Sequence, residues 1–192
     1  MQSAKRAGAT AMDGKSDEEL MAQIARGDEA AFRLLTHRYS SRAVALARRV
    51  TGNIADAEEV AQEALLRVWI NAPRWRPVAS FRTWFYRVVL NLCLNRKRRA
   101  PFAALEDAGD PADPGPDPAA QLDEQQTGRL VAEAIAELPE RQRLAIVLTY
   151  NEGLSNAEVA AVLGTSVSGI ETLLVRARRS LREKLDAFVG KL

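Results

Sequence analysis

Residues 155–181 read SNAEVAAVLGTSVSGIETLLVRARRSL. Ser155, followed three residues on by Glu158, is a capping box: the hydroxyl and the carboxylate each satisfy a backbone N–H left open at a helix start. Val159, Ala160, Val162 and Leu163 then predict a short helix. Gly164 provides the left-handed backbone of a tight turn. Ser166 or Ser168 caps a longer helix with Ile170, Leu173, Leu174 and Leu181 as its apolar positions. The small Ala160 and Ala161 let the two helices approach closely. Ser168, Glu171, Thr172, Val175, Arg176 and Arg179 then point outward, the first of them placed for base edges and the arginines for phosphates. The pattern predicts a helix-turn-helix that reads DNA. A helical hairpin packed in a bundle shares the periodicity, but not the basic flank together with the caps and the turn glycine.

Working outward, strand signals are almost absent and the expected class is all-α, as two small helical domains joined by a flexible acidic linker. Ser16 and Glu19 form another capping box, opening a helix through Ala25. Gly27 ends it and Asp28 caps the next, which buries Phe32, Leu35, Tyr39, Leu46 and Val50 before Gly52 stops it. Asn53 precedes a third helix with Val60, Ala64, Leu65, Val68 and Trp69 apolar. Pro73 and Pro77 break the pattern, and Ser80 caps a fourth helix from Phe81 to about Arg99. From Ala100 to Gln121, Pro111, Pro114, Pro116 and Pro118 alternate with aspartates and small residues, which leaves too little apolar surface to fold. Helical pattern resumes near Leu122, with Leu130, Ile135 and Leu138, then from Pro139 with Leu144, Val147 and Leu148 until Gly153. The expected division is a disordered 1–16, a first domain 17–100, a linker 101–121 and a second domain 122–192.

The net charge of +2 matters less than its distribution. Between Glu63 and Glu106 no acidic residue occurs, while Arg67, Arg74, Arg76, Arg82, Arg87, Arg96, Lys97, Arg98 and Arg99 do. The next segment is acidic, and the C-terminal stretch is basic again with Arg176, Arg178, Arg179, Arg182 and Lys184. Two basic regions separated by an acidic connector suggest two surfaces facing phosphates. Cys93 and His37 are the sole residues of their types, so zinc and Cys–His nucleophilic chemistry lack ligands and partners. No cofactor is expected. One cysteine, no long apolar run and no secretory leader pattern point to a cytoplasmic protein without membrane insertion.

Arg74-Trp75-Arg76 and the stretch Phe81 to Arg87 place aromatics among arginines. Aromatic faces stack on unpaired bases while arginines follow the backbone, a composition suited to single strands. Aromatics at helical spacing are also ordinary core, and about half of these are expected to be structural.

These segments together resemble the extracytoplasmic-function sigma factors, small bacterial proteins that direct RNA polymerase to promoters. The resemblance runs from about Asp17 to Leu185 and rests on residues 25–32 (ARGDEAAF), 56–63 (DAEEVAQE), 79–87 (ASFRTWFYR), 138–142 (LPERQ) and 152–160 (EGLSNAEVA). It implies a two-domain, non-enzymatic initiation factor whose partners are core RNA polymerase, promoter DNA and an anti-sigma factor, with no small-molecule substrate. Asp56, Glu59, Gln62, Glu63 and Arg67 match the segment that docks on the polymerase clamp. Trp75, Ser80, Phe81, Trp84, Tyr86, Arg87, Asn91 and Arg98 fall where the −10 element is melted and read. Ser168, Glu171, Thr172, Arg176 and Arg179 fall in the −35 reader. Two positions depart from the common pattern. Asn95 stands where many relatives carry aspartate, and Gly169 lies near the start of the recognition helix, where glycine costs helix stability and would allow close approach to the DNA backbone.

A stand-alone helix-turn-helix repressor or response-regulator output domain would account for the C-terminal half alone, and a receiver domain would need alternating strands and helices. A metal-dependent nuclease needs clustered carboxylates, which the basic region lacks.

Overall fold

The computed structural model describes residues 14–99 and 128–189. The acidic segment 101–121, most of the expected N-terminal tail and the residues from 122 to 127 lie outside that range. The described residues contain helices and turns but no strand, and they form two compact units, one on each side of the acidic segment.

The first unit holds α1 (Asp17–Ile24), α2 (Glu29–Thr51), α3 (Ile54–Asn71), a 3-10 turn (Ala72–Arg74) and α4 (Phe81–Arg99). Its helix starts are those read from the capping residues. The Ser16 hydroxyl accepts from Glu19 N at 3.1 Å while the Glu19 carboxylate accepts from Ser16 N at 2.8 Å. Asp28 accepts from the N–H groups of Ala30 and Ala31, and Asn53 from that of Asp56. α2 packs on α1, α3 and α4, so its buried residues Leu35, Tyr39, Ala43, Leu46 and Val50 form the centre of the unit.

α4 buries a stripe of Phe81, Phe85, Tyr86, Val89, Leu90 and Cys93. The adjacent pairs 85/86 and 89/90 give the width that an amphipathic helix needs when neighbours cover it on more than one side. Around Phe81 the rings of Tyr39, Trp84, Phe85 and Trp75 lie at centroid distances of 5.1, 5.8, 5.7 and 6.4 Å. The Tyr39 hydroxyl donates to Asp17, which also accepts from Arg38 at 2.8 Å. Burial, and then that bond to an acid, push the Tyr39 hydroxyl well above its ordinary pKa.

Burial likewise pushes the Cys93 thiol up to about 12. The thiolate is the reactive form, so Cys93 stays protonated and inert at neutral pH. A thiol titration of the native protein is expected to detect no reactive cysteine, and the same titration in denaturant to detect one. Rapid labelling of the native protein would contradict the packing.

The second unit contains α5 (helical residues 128–136), α6 (Glu140–Ile146), α7 (Asn156–Leu163) and α8 (Val167–Val189). α8 packs on both α6 and α7. The helix expected from Pro139 to Gly153 is α only as far as Ile146, and Val147–Asn151 continue it as a π turn. Leu144, Ala145, Ile146, Val147 and Leu148 are all buried. Five consecutive buried residues place this segment inside the unit, enclosed all round, rather than on its surface.

Candidate nucleic-acid and polymerase interfaces

The helix-turn-helix forms as read. Glu158 N donates to the Ser155 hydroxyl at 3.3 Å and Ser155 N to the Glu158 carboxylate at 2.8 Å. α7 ends at Gly164 with φ +61°, and the chain resumes as α8 at an angle of 100°. That angle suits a pair in which one helix supports and the other enters a groove. Ser166 caps α8, its hydroxyl accepting from Gly169 N at 3.1 Å.

Ile170, Leu174 and Ala177 are buried against the unit, whereas Ser168, Glu171, Thr172, Val175, Arg176 and Arg179 are exposed. All five of the proposed −35 readers therefore lie on the open side of α8. Arg179 is paired with Glu183 at 2.9 Å, an exposed contact that a phosphate can displace at little cost. Gly169 has a closer reason than DNA approach. A Cβ there would come 2.8 Å from the Thr165 hydroxyl oxygen and 3.2 Å from that of Ser166, so the capping loop itself crowds the position.

In the first unit the basic aromatic stretch separates into two sides. Ser80, Arg87, Asn91, Asn95 and Arg98 are exposed, and Trp84 is half-buried among them. Their spacing along α4 places Trp84, Arg87, Asn91, Asn95 and Arg98 on one face. The Asn95 side chain accepts from Arg98 on this face. Trp75 is half-buried on the turn before the helix, its ring edge-on to Phe81.

Phe81 and Tyr86 are different. Both are fully buried, at 0 % exposure, and neither offers a face to a base. The expectation that they contact the −10 strand is corrected: both are core residues, Phe81 packed against the rings of Trp75 and Trp84 and Tyr86 against those of Tyr39 and Phe85. Ser80 bonds inward as well, accepting from Thr83 N at 3.2 Å with its hydroxyl 2.9 Å from the Thr83 hydroxyl. Phe81 N donates at 2.9 Å to the carboxylate of Glu18 on α1. Sequence reading missed Glu18, because its partner lies far along the chain and no local pattern marks it.

α3 carries the acidic face. Glu59, Gln62 and Glu63 are exposed, Asp56 and Arg67 partly so, and the apolar Leu66 and Ile70 stand open beside them at 51 % and 61 % exposure. An open groove of about 990 Å³ runs between this face and α4, with Leu66 and Leu92 in its walls. Arg67 pairs with Glu63 at 2.9 Å. Arg96 of α4 donates to Asp56 at 2.6 Å and to Glu59 at 2.5 Å, a contact that sequence reading also missed. Those bonds, to Glu59 first, raise the pKa of an already basic guanidinium.

Comparison with known proteins bears on these surfaces. The Sigma-70 region 2 family matches residues 35–101, and the Sigma-70, region 4 family matches residues 128–181. The ECF RNA polymerase sigma factor SigM of Mycobacterium tuberculosis is 35% identical over 89% of this chain and 85% of its own length. The chain belongs to the extracytoplasmic-function sigma factors. SigW of Bacillus subtilis is 30% identical over 85% of the chain and 93% of its own length. Among solved structures, CnrH in complex with the cytosolic domain of CnrY superposes with a TM-score of 0.69, at 31% identity over 90% of this chain and 99% of CnrH. As a sigma factor the protein directs core RNA polymerase to promoters for transcription initiation, and it is an initiation factor rather than an enzyme. No single helix among the described residues is long and apolar enough to cross a membrane.

Proposed function

We propose that three separate surfaces divide the work of initiation. Asp56, Glu59, Gln62, Glu63 and Arg67 on α3 dock on core polymerase. Trp75, Ser80 just before α4, and the face of α4 formed by Trp84, Arg87, Asn91 and Arg98 bind the melted −10 strand. Ser168, Glu171, Thr172, Arg176 and Arg179 on α8 read the duplex −35 element. The observation that carries this reading is the one-sidedness of α8, whose proposed readers are all exposed while Ile170, Leu174 and Ala177 are all buried. Domain limits of 17–100 and 122–192, joined by the acidic 101–121, fit this division. Action in the cytoplasm and restraint by an anti-sigma factor also fit, the latter in line with a CnrH structure solved in complex with another protein's cytosolic domain.

The test separates the surfaces by substitution. Arg176→Ala is expected to lower −35-dependent initiation on the order of tenfold, the effect of one lost arginine contact, with affinity for core polymerase unchanged. Asp56→Asn is expected to lower core affinity and leave the −35 preference of the remaining complex unchanged. Equal loss of core binding in both variants would contradict the assignment.

A further inference from the structure

The charged residues proposed to meet polymerase are already engaged. Glu63 is held by Arg67 one helical turn away. Asp56 and Glu59 share Arg96, which arrives from the other side of the groove. Three carboxylates thus stand with two guanidinium groups, and an approaching cation meets a face that is largely self-neutralised. The two carboxylates are unlike in exposure: the Asp56 side chain is 33 % exposed and that of Glu59 61 %, against 37 % for Arg96. Ion pairs this open to water contribute little net free energy, so a partner's cation can replace Arg96 without disturbing the fold.

Position separates Arg96 from its basic neighbours. It lies three residues beyond the buried Cys93, on the side of α4 that faces α3, whereas Asn95 and Arg98 lie on the exposed side. The basic end of α4 is therefore divided, with part of it turned towards the open face and Arg96 turned back onto the acidic face.

We propose that Arg96 is an internal competitor for the polymerase-docking face: it holds Asp56 and Glu59 in the free protein and yields them to basic side chains of core polymerase on docking. The inference rests on the assignment of α3 as the docking face. Its consequence is that core binding exchanges one set of ion pairs for another. Affinity at low ionic strength is then lower, and its fall with added salt shallower, than Asp56 and Glu59 left unpaired would give.

The experiment measures binding of the full chain to purified core RNA polymerase at low and high ionic strength, for the wild type, Arg96→Gln, Arg96→Met and Arg96→Lys. Both neutral variants are expected to bind about two- to fivefold more tightly at low salt, the range for loss of exposed competing pairs, with the gain shrinking as salt rises. Arg96→Lys keeps the charge and is expected to bind like the wild type. Helical content and thermal unfolding, followed in parallel, are expected to change little in any variant. Neutral variants that bind as the wild type does, or more weakly with unchanged folding, would overturn the proposal; weaker binding would make Arg96 a positioning residue for the two carboxylates. Asp56→Asn and Glu63→Gln serve as controls. If both leave core affinity untouched, the docking assignment itself fails, whereas weakened controls beside unimproved Arg96 variants bring down the competitor alone.

Discussion

Phe81→Ala is expected to lower the stability of the first unit by about 3–5 kcal/mol, the usual cost of truncating a buried phenylalanine. Phe81 has no solvent exposure and sits among the rings of Tyr39, Trp75, Trp84 and Phe85. Alanine would leave a cavity that those rings cannot close without moving, because they are anchored on three different segments of chain. Backbone capping by Glu18 survives the change, so the loss comes from packing and not from the helix start. For a unit of this size each kcal/mol moves the midpoint by roughly 4–8 °C, so a fall of more than about 10 °C is expected. All three tryptophans, Trp69, Trp75 and Trp84, belong to this unit, which makes tryptophan fluorescence its private reporter. Trp84→Ala serves as the contrast: a half-buried ring on the exposed face, it is expected to cost less stability and more single-strand binding. If Phe81→Ala unfolds like the wild type and loses only DNA binding, Phe81 faces the strand after all and the burial described here is wrong.

That contrast marks where sequence reading stops. Capping at Ser16, Asp28, Asn53 and Ser155 was legible because each side chain meets a backbone N–H two or three residues away. The turn at Gly164 was legible because its positive φ favours glycine. The division of residues 81–87 between core and surface was not, since both readings satisfy the helical period and the choice depends on what α2 and the turn before α4 place against it. Glu18 and Arg96 were hidden for the same reason: their partners are distant in sequence. The π turn after Ile146 and the crowding at Gly169 are also products of packing. Which side of α8 is buried was legible where the sides of α4 were not. α8 is covered on one side only, so its amphipathic pattern gives its orientation directly.

Ile170→Ala is expected to have the other large effect, confined to the second unit. Ile170 is fully buried in the first turn of α8, four residues after the capping Ser166 and close to the bend that sets the 100° angle with α7. Truncating a buried isoleucine to alanine costs about 2–5 kcal/mol, and a small unit has little stability to spare. α8 packs on α7, and Ile170 is the first buried side chain of α8. Its loss should free the start of α8, where Ser168, Glu171 and Thr172 are proposed to meet base edges. Far-UV circular dichroism is expected to show part of the helical signal melting early, while the tryptophan transition keeps its midpoint. Initiation should lose its dependence on the −35 element although Arg176 and Arg179 remain, because phosphate contacts alone do not hold a recognition helix in register. Retention of full −35 discrimination with an unchanged helical melt would mean that Leu174 and Ala177 suffice to hold α8, and that its N-terminal turn is anchored from outside the core.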